Sequence, residues 1–87
     1  MSYQVEVKRS AQKAFLALPA EAQKQVADKL VSLETDPHQQ GCKKISGRDN
    51  TWRVRAGNYR IVYEVHKNIL VVVVIRIGHR KDIYKNL

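Results

Sequence analysis

The chain has 87 residues, 44% of them hydrophobic, with 16 Lys and Arg against 8 Asp and Glu and with 1 Cys. Such a chain forms one small domain, here spanning residues 1–87, that buries about 60–65% of its unfolded surface. A domain of this size has no room for a large enclosed substrate cavity, so the sequence predicts a shallow surface site. One Cys excludes an internal disulfide and a zinc cluster, and no apolar run approaches the ~20 residues of a membrane span, so we expect a cytoplasmic, metal-free protein.

The net charge of +8 lies entirely in the second half of the chain. Residues 1–42 carry five basic and five acidic side chains, whereas residues 43–87 carry eleven basic and three acidic ones. A charge that serves only solubility would be spread more evenly. The asymmetry therefore indicates a polyanion or an acidic partner protein as the ligand of the second half.

The first half of the sequence predicts a strand followed by two helices. Residues 3–7 alternate apolar and polar side chains, which is the period of a half-buried strand. We expect Ser10 to cap a short helix and Pro19 to lie in the first turn of a longer one, which ends at Asp36-Pro37. The apolar side chains at helical spacing are Ala11, Ala14, Phe15 and Leu18, and then Ala22, Val26, Leu30 and Leu33.

After a polar loop over residues 36–50, with at most a short strand at residues 44–46, the period changes to that of strands. Residues 51–56, 59–65 and 69–77 are rich in β-branched and aromatic side chains, with turn residues between them. We predict an antiparallel meander of three to four strands. The fold class is α+β, with a β-α-α unit whose two helices pack on one face of that meander.

A two-residue turn at Gly57-Asn58 fixes the register of the first hairpin, because Ala56 then pairs with Tyr59. Arg55 consequently lies directly opposite Arg60. One face of the hairpin collects three arginines, and the other collects the side chains that we expect in the core. The first set is Arg53, Arg55 and Arg60, and the second is Trp52, Val54, Tyr59, Ile61, Tyr63 and Val65.

The last strand is apolar on both sides and does not determine its own register. We expect a three-residue loop that pairs Val65 with Ile69. This register adds Arg76 and Arg80 to the basic face and gives the core Val71, Val73, Ile75 and Ile77. It also separates His79 from Arg80 by one position, which directs His79 to the opposite face.

Directly opposed arginines destabilise a hairpin by a few tenths of a kcal/mol or more, a cost that an intervening anion offsets. Alternate residues of a strand lie about 7 Å apart, close to the spacing of successive phosphates in an extended single-stranded nucleic acid. Only Glu64 on the same face could pair with these arginines instead. We therefore interpret the face as a phosphate-binding surface rather than a set of surface ion pairs.

The segment WRVRAGNYRIVY at residues 52–63, followed by IGHRKDIY at residues 77–84, resembles the RelE/ParE superfamily of bacterial and archaeal toxins. The superfamily contains ribosome-dependent endoribonucleases and gyrase-directed toxins of one fold. Resemblance to the RelE branch implies cleavage of messenger RNA in the ribosomal A site, where the RNA 2′-hydroxyl attacks the adjacent phosphate without a cofactor. It also implies three partners: the ribosome, messenger RNA, and an acidic RelB-like antitoxin in a hetero-oligomer.

Matching the family's motif to this sequence implies five catalytic residues. Arg53 and Arg55 occupy the two basic strand positions, Arg60 is the phosphate clamp, Arg80 follows the last strand, and Tyr84 stacks on a base. Further contacts to RNA or the ribosome are expected from Lys43, Lys44, Arg48, Arg76 and Lys81.

The general base is the open question of this assignment. RelE enzymes of the lysine type carry lysines at the positions of Arg53 and Arg55, and arginine stays protonated to about pH 12, so it is a poor base. The alternatives are His79, Tyr84 or a ribosomal group. Two other functions therefore stay open, a ParE-like gyrase inhibitor and a non-catalytic module that binds the ribosome or RNA. We expect His38 and His66, in predicted loops, to be solvated.

Overall fold

A computed structural model describes residues 2–79, which form two helices and a five-stranded, mostly antiparallel sheet. The α+β class and the order of elements are as predicted. Neither helix in this range has the length and hydrophobicity of a membrane-spanning segment. The elements are β1 (Gln4–Val7), α1 (Arg9–Leu16), α2 (Ala20–Thr35), β2 (Lys43–Lys44), β3 (Thr51–Ala56), β4 (Tyr59–His66) and β5 (Val71–His79).

The sheet has the order β1-β5-β4-β3-β2, so the first strand lies beside the last one. β1 runs parallel to β5, with Gln4 opposite Val71 and Val7 opposite Val74. A parallel pair requires a long connection, which here includes both helices. The strand itself follows from its alternating pattern, but its place in the sheet depends on residues almost 70 positions further along the chain.

Both helices pack on one face of the sheet, as predicted, and the core lies between the two layers. The helices contribute Ala11, Val26 and Leu33, and each of these belongs to the apolar stripes seen in the sequence. Burying a side chain such as Val or Leu contributes about 1.5–3 kcal/mol. The sheet contributes Val54, Ala56, Ile61, Tyr63, Val65, Val72, Val74 and Ile77.

The starts of α1 and α2 differ from the prediction by two residues and one residue, respectively. Lys8, rather than Ser10, is the N-cap of α1, and it makes no side-chain capping bond. The backbone N–H of Lys8 still donates to the carbonyl of Val74 at 2.9 Å, so the chain passes directly from the sheet into the helix. Pro19 is likewise the N-cap of α2 rather than part of its first turn.

The register of the first hairpin is confirmed, with Ala56 opposite Tyr59 and Arg55 opposite Arg60. Gly57 has a φ of +62°, in the left-handed region that a two-residue hairpin turn requires. A Cβ at Gly57 would also collide with the side-chain carbonyl oxygen of Gln25 on α2. The turn therefore lies beside the end of the Gln25 side chain.

The predicted register of β5 is wrong over its first half. Residues 67–70 form a four-residue turn instead of a three-residue loop, and Val65 pairs with Val72 rather than with Ile69. Val72 and Val74 are consequently the fully buried side chains, in place of Val71 and Val73. A run of apolar residues fits the core with either parity, so the turn length decides the register.

A β-bulge restores the predicted parity in the second half of β5. Tyr63 pairs with Val74 and Val62 pairs with Arg76, which leaves Ile75 as the extra residue. Arg76 therefore reaches the basic face, as expected, and Ile77 is buried among the core residues. Without the bulge, the four-residue turn would direct Arg76 toward the helices.

Candidate nucleic-acid interface

Four of the arginines that were expected to share a face lie within the described residues, and all four lie on the side of the sheet away from the helices. Arg55 and Arg60 are directly opposed across β3 and β4, and Arg53 lies opposite Val62. Val62 in turn lies opposite Arg76 of β5. We call this surface the arginine face; its basic members are Lys43, Arg53, Arg55, Arg60 and Arg76.

The arginine face forms two rows that run across the strands. Neighbouring strands lie about 4.8 Å apart, so the Cα atoms of Arg53 and Arg76 are about 10 Å apart with Val62 between them. Lys43, opposite Arg53 on the edge strand, extends this row by about another 5 Å. The second row contains Arg55 and Arg60, about 7 Å along the strands from the first. The two rows span the dimensions of a short phosphodiester segment.

The arginines differ in exposure. Arg55 is exposed, whereas Arg53, Arg60 and Arg76 are half-buried. Val62, which lies among them, has no accessible surface at all. Long arginine side chains cover apolar surface with their methylene stems while the guanidinium groups stay near polar surroundings. The centre of the face is thus a fully buried apolar side chain surrounded by cationic groups.

The opposed pair Arg55 and Arg60 concentrates positive charge at the hairpin end of the face. The Nε of Arg55 donates to the carbonyl of Gly57 at 3.2 Å, which draws this side chain toward the turn. Arginine presents its N–H groups in a planar fork that matches two phosphate oxygens at once. A pair of such groups can bind a phosphate and stabilise the additional negative charge of a pentavalent phosphorane.

Lys43 reaches the arginine face because the preceding loop is fastened to the core. The hydroxyl of Tyr63 donates to the carbonyl of Pro37 at 2.6 Å, inside the protein. Burial raises the pKa of Tyr63 well above its ordinary value of 10.0, and the nearby Cys42 thiol and Asp36 carboxylate add to this effect. The phenol is therefore a permanent hydrogen-bond donor that holds the loop leading into β2.

Acidic side chains form a further row on the same side of the sheet. Glu6 of β1 lies opposite Val73, and Val73 lies opposite Glu64. Oε1 of Glu64 lies 3.0 Å from Nε2 of His66 and accepts a hydrogen bond from it. Glu6 was not expected there, because its position depends on the parallel pairing of β1. The face is thus basic toward the hairpin and acidic toward the other end.

The other predicted site residues within the described range lie away from the arginine face. Lys44 pairs with Trp52, which directs it to the side opposite Lys43. Arg48 lies exposed in the loop between β2 and β3. His79 pairs with Tyr59 on the helix side, where the two rings meet edge to face with centroids 5.7 Å apart.

Three predicted site residues lie outside the described range, namely Arg80, Lys81 and Tyr84. Within residues 2–79, no group of three or more His, Cys, Asp or Glu side chains is arranged to hold a metal ion. The described site therefore consists of the arginine face with its neighbouring acidic row.

The family model described as "ParE toxin of type II toxin-antitoxin system, parDE" matches residues 5–84. The chain belongs to the RelE/ParE superfamily of toxins. A RelE-like toxin protein of Escherichia coli is 32% identical over 97% of this chain and 92% of its own length. A protein of Methanocaldococcus jannaschii named as toxin RelE1 is 28% identical over 99% of both chains.

The fold of these toxins is the one described above. A chain of the archaeal RelE-RelB complex from Pyrococcus horikoshii superposes with a TM-score of 0.82 over 92% of this chain and 97% of that one, at 25% identity. The chain is therefore a toxin of the type II toxin-antitoxin class. The resemblance read from residues 52–63 and 77–84 is confirmed.

Proposed function

We propose that this toxin is a ribosome-dependent endoribonuclease that cleaves messenger RNA in the ribosomal A site. In the reaction the ribose 2′-oxygen attacks the adjacent phosphorus and the 5′-oxygen of the next nucleotide leaves. The products are a 2′,3′-cyclic phosphate and a 5′-hydroxyl. The reaction needs a group that removes the 2′ proton, cations that stabilise the phosphorane, and an acid that protonates the leaving oxygen.

The observation that supports this function is the register that brings Arg53, Arg55, Arg60 and Arg76 onto one face. Four arginines arranged in two rows suit a surface that holds RNA phosphates, because each arginine can donate two hydrogen bonds to phosphate oxygens.

In the proposed mechanism Arg60 binds the scissile phosphate, and Arg55, directly opposite, donates to the same group as its charge increases. Arg53 and Arg76, on either side of Val62, hold the neighbouring phosphate. Arg80 and Tyr84, which lie outside the described residues, are proposed as a further cation and as the base-stacking side chain. Positioning and charge stabilisation are thus supplied by arginines.

Because Tyr84 is assigned to base stacking, the proton acceptor is proposed to be a ribosomal group. His79, the third possibility, contacts Tyr59 on the helix side of the sheet, away from Arg55 and Arg60. A general base must come within hydrogen-bond reach of the proton that it abstracts. His79 could act as the general base only if the end of β5 rotated so that its side chain pointed to the arginine face.

A cell-free translation reaction tests the proposal. Added toxin is expected to produce new messenger RNA 5′ ends at A-site positions and to stop translation. The Arg60→Ala variant is expected to lower the cleavage rate roughly 10²–10³-fold, the usual effect of removing one group that stabilises transition-state charge. Arg9→Ala, an exposed arginine on α1, is the matched control. Intact message at toxin concentrations that exceed the ribosomes would contradict the proposal.

We also propose a RelB-like antitoxin as the partner, because related toxins of this fold were solved in RelE-RelB complexes. The excess of basic side chains in residues 43–87 favours a partner with an acidic segment that folds on binding. Co-expression with the protein encoded beside this chain is expected to yield a stable complex and to abolish cleavage. Absence of a complex in size-exclusion chromatography would refute this pairing.

A ParE-like activity against DNA gyrase is the alternative, and the family model that matches residues 5–84 favours it by its own description. A supercoiling assay with purified gyrase separates the two. Inhibition of gyrase together with intact message would make this alternative the function. The same pair of assays identifies a non-catalytic binding module, which would leave both reactions unchanged while still binding RNA in a salt-dependent manner.

A further inference from the structure

A cleft lies at the end of the sheet farthest from the Gly57 turn. It has a volume of about 530 Å³, within the range of about 300–1,000 Å³ that small-molecule sites occupy. We call it the end cleft; the lining residues that matter are His38, Asn50, Trp52, His66, Lys67 and Asn68.

The end cleft is separate from the arginine face. Arg60 and His66 are six residues apart on β4, which corresponds to about 20 Å. On the side of the arginine face, the acidic row of Glu6 and Glu64 lies between Arg60 and His66, whereas Trp52 of the cleft lies on the helix side of the sheet. A polyanion bound along Arg53 and Arg76 would have to pass these carboxylates to reach the cleft. The end cleft therefore binds a different part of a ligand from the part bound by the arginine face.

Aromatic rings form one wall of the cleft. The rings of His38 and Trp52 meet edge to face, with centroids 4.8 Å apart and an angle of 74° between their planes. Trp52 is only half-buried, so it is not purely a core residue as its parity suggested. Burial, with the Lys67 ammonium adding to it and Asp36 opposing it, lowers the pKa of His38 below its ordinary 6.5. The ring is thus neutral at pH 7 and suited to stacking.

Amide and charged side chains form the other walls of the cleft. Asn50 and Asn68 carry side-chain amides, which have both donors and acceptors, while Lys67 adds one exposed cation and Asp49 one exposed carboxylate. The carbonyl of Asn50 accepts a hydrogen bond from the N–H of Val65 at 2.9 Å, which fixes this residue at the mouth. His66 is held by Glu64 at 3.0 Å. The cleft therefore combines a stacking surface, hydrogen-bonding edges, and one cation together with one carboxylate.

We propose that the end cleft binds one unpaired RNA nucleotide, with the base against Trp52 and His38 and the phosphate at Lys67. Aromatic side chains and amides recognise splayed-out bases in single-stranded RNA, and one lysine suffices for one phosphate. An apolar peptide would require aliphatic walls, but only Val65 and Ile69 supply them. The inference rests on the proposed ribonuclease function, because it gives the toxin a second RNA contact on the ribosome.

The chain contains one Trp, and Trp52 lines the cleft, so its fluorescence reports occupancy directly. The free toxin is titrated with nucleoside 5′-monophosphates and with the matching nucleosides. We expect saturable quenching, with the monophosphates binding roughly three- to tenfold more tightly than the nucleosides. Lys67→Ala is expected to remove that difference, and His38→Ala to weaken both ligands. Both side chains are exposed, so the fold is retained, and a thermal melt verifies this.

Lys24→Ala, an exposed lysine on α2, and Arg60→Ala, on the arginine face, are the controls and are expected to leave quenching unchanged. Absence of saturable quenching at millimolar nucleotide overturns the proposal. So does equal quenching by inorganic phosphate alone, or saturation by an acidic antitoxin peptide where nucleotides have no effect. If message cleavage fails but quenching is found, the enzymatic function falls and the nucleotide site stands.

The nucleotide could come from message or from ribosomal RNA, and ribosomes separate the two sources. Lys67→Ala weakens binding to ribosomes without message if ribosomal RNA supplies the nucleotide. It weakens binding only to programmed ribosomes if the message does. A variant that binds both kinds of ribosome as tightly as the unmodified toxin contradicts the proposal.

Discussion

Lys43 and Lys44 offer a sharp test of the arginine face, because they are adjacent, chemically identical and both exposed. Register places Lys43 opposite Arg53 on the arginine face and Lys44 opposite Trp52 on the other side. Changing either to Ala removes one positive charge from the same two-residue edge strand. The pair therefore separates the effect of position from the effect of net charge.

The expected magnitude follows from exposure and geometry. The Cα of Lys43 is about 5 Å from that of Arg53, within reach of a phosphate bound by the arginine. Because the lysine is exposed, its contact is screened and contributes about 0.5–1 kcal/mol, or roughly two- to fivefold in the dissociation constant of the RNA. Loss of one phosphate contact also lowers the slope of log K against log salt by about 0.7 for single-stranded RNA.

The assay measures equilibrium binding of a short, uncleavable 2′-deoxy-substituted RNA by the purified toxin between low and moderate salt. Lys43→Ala is expected to weaken binding and flatten the salt dependence, while Lys44→Ala should change both much less. Equal effects of the two substitutions would show that RNA responds to overall charge rather than to this face. The register argument would then carry no functional meaning.

Three predictions concern the framework that positions the site. Tyr63→Phe leaves the buried carbonyl of Pro37 without its donor and is expected to lower the free energy of unfolding by about 1–3 kcal/mol in urea denaturation. Because burial raises the folded-state pKa of Tyr63, the unfolded chain loses its proton first, so stability should fall from about pH 10 upward, and less steeply in Tyr63→Phe. Gly57→Ala is expected to cost about 1–2 kcal/mol through its positive φ. Adding Gln25→Ala should recover little of that loss, since the colliding group is the end of a flexible, exposed side chain.

The sequence determines those parts of the fold that depend on near neighbours. The two-residue turn at Gly57 fixed Arg55 against Arg60 because hairpin register follows from turn length. The apolar stripes also depend on near neighbours, because they follow from local helical periodicity, and they predicted which helix residues enter the core. The basic half of the site, apart from the segment beyond residue 79, was therefore predictable.

Features that depend on distant parts of the chain were not predictable in this way. The run from residue 69 to 75 is apolar on both faces, so neither the four-residue turn nor the bulge at Ile75 leaves a pattern in it. The two irregularities offset each other, which is why Arg76 was assigned to the right face from a wrong register. Glu6 was missed because parallel pairing of β1 with β5 has no local signal.

The acidic row limits the path that RNA can take across the toxin. A strand of RNA that followed β4 from Arg60 would reach the carboxylate of Glu64 within four residues, about 13 Å. A path across the strands instead meets Lys43, Arg53 and Arg76 in succession. Like charges repel, so a message that runs from the row of Arg55 and Arg60 to the row of Arg53 and Arg76 should then turn across the strands. On that path Glu6 and Glu64 form a boundary that excludes phosphates from the other end, and replacing Glu64 by Gln is expected to strengthen RNA binding while broadening the positions of cleavage.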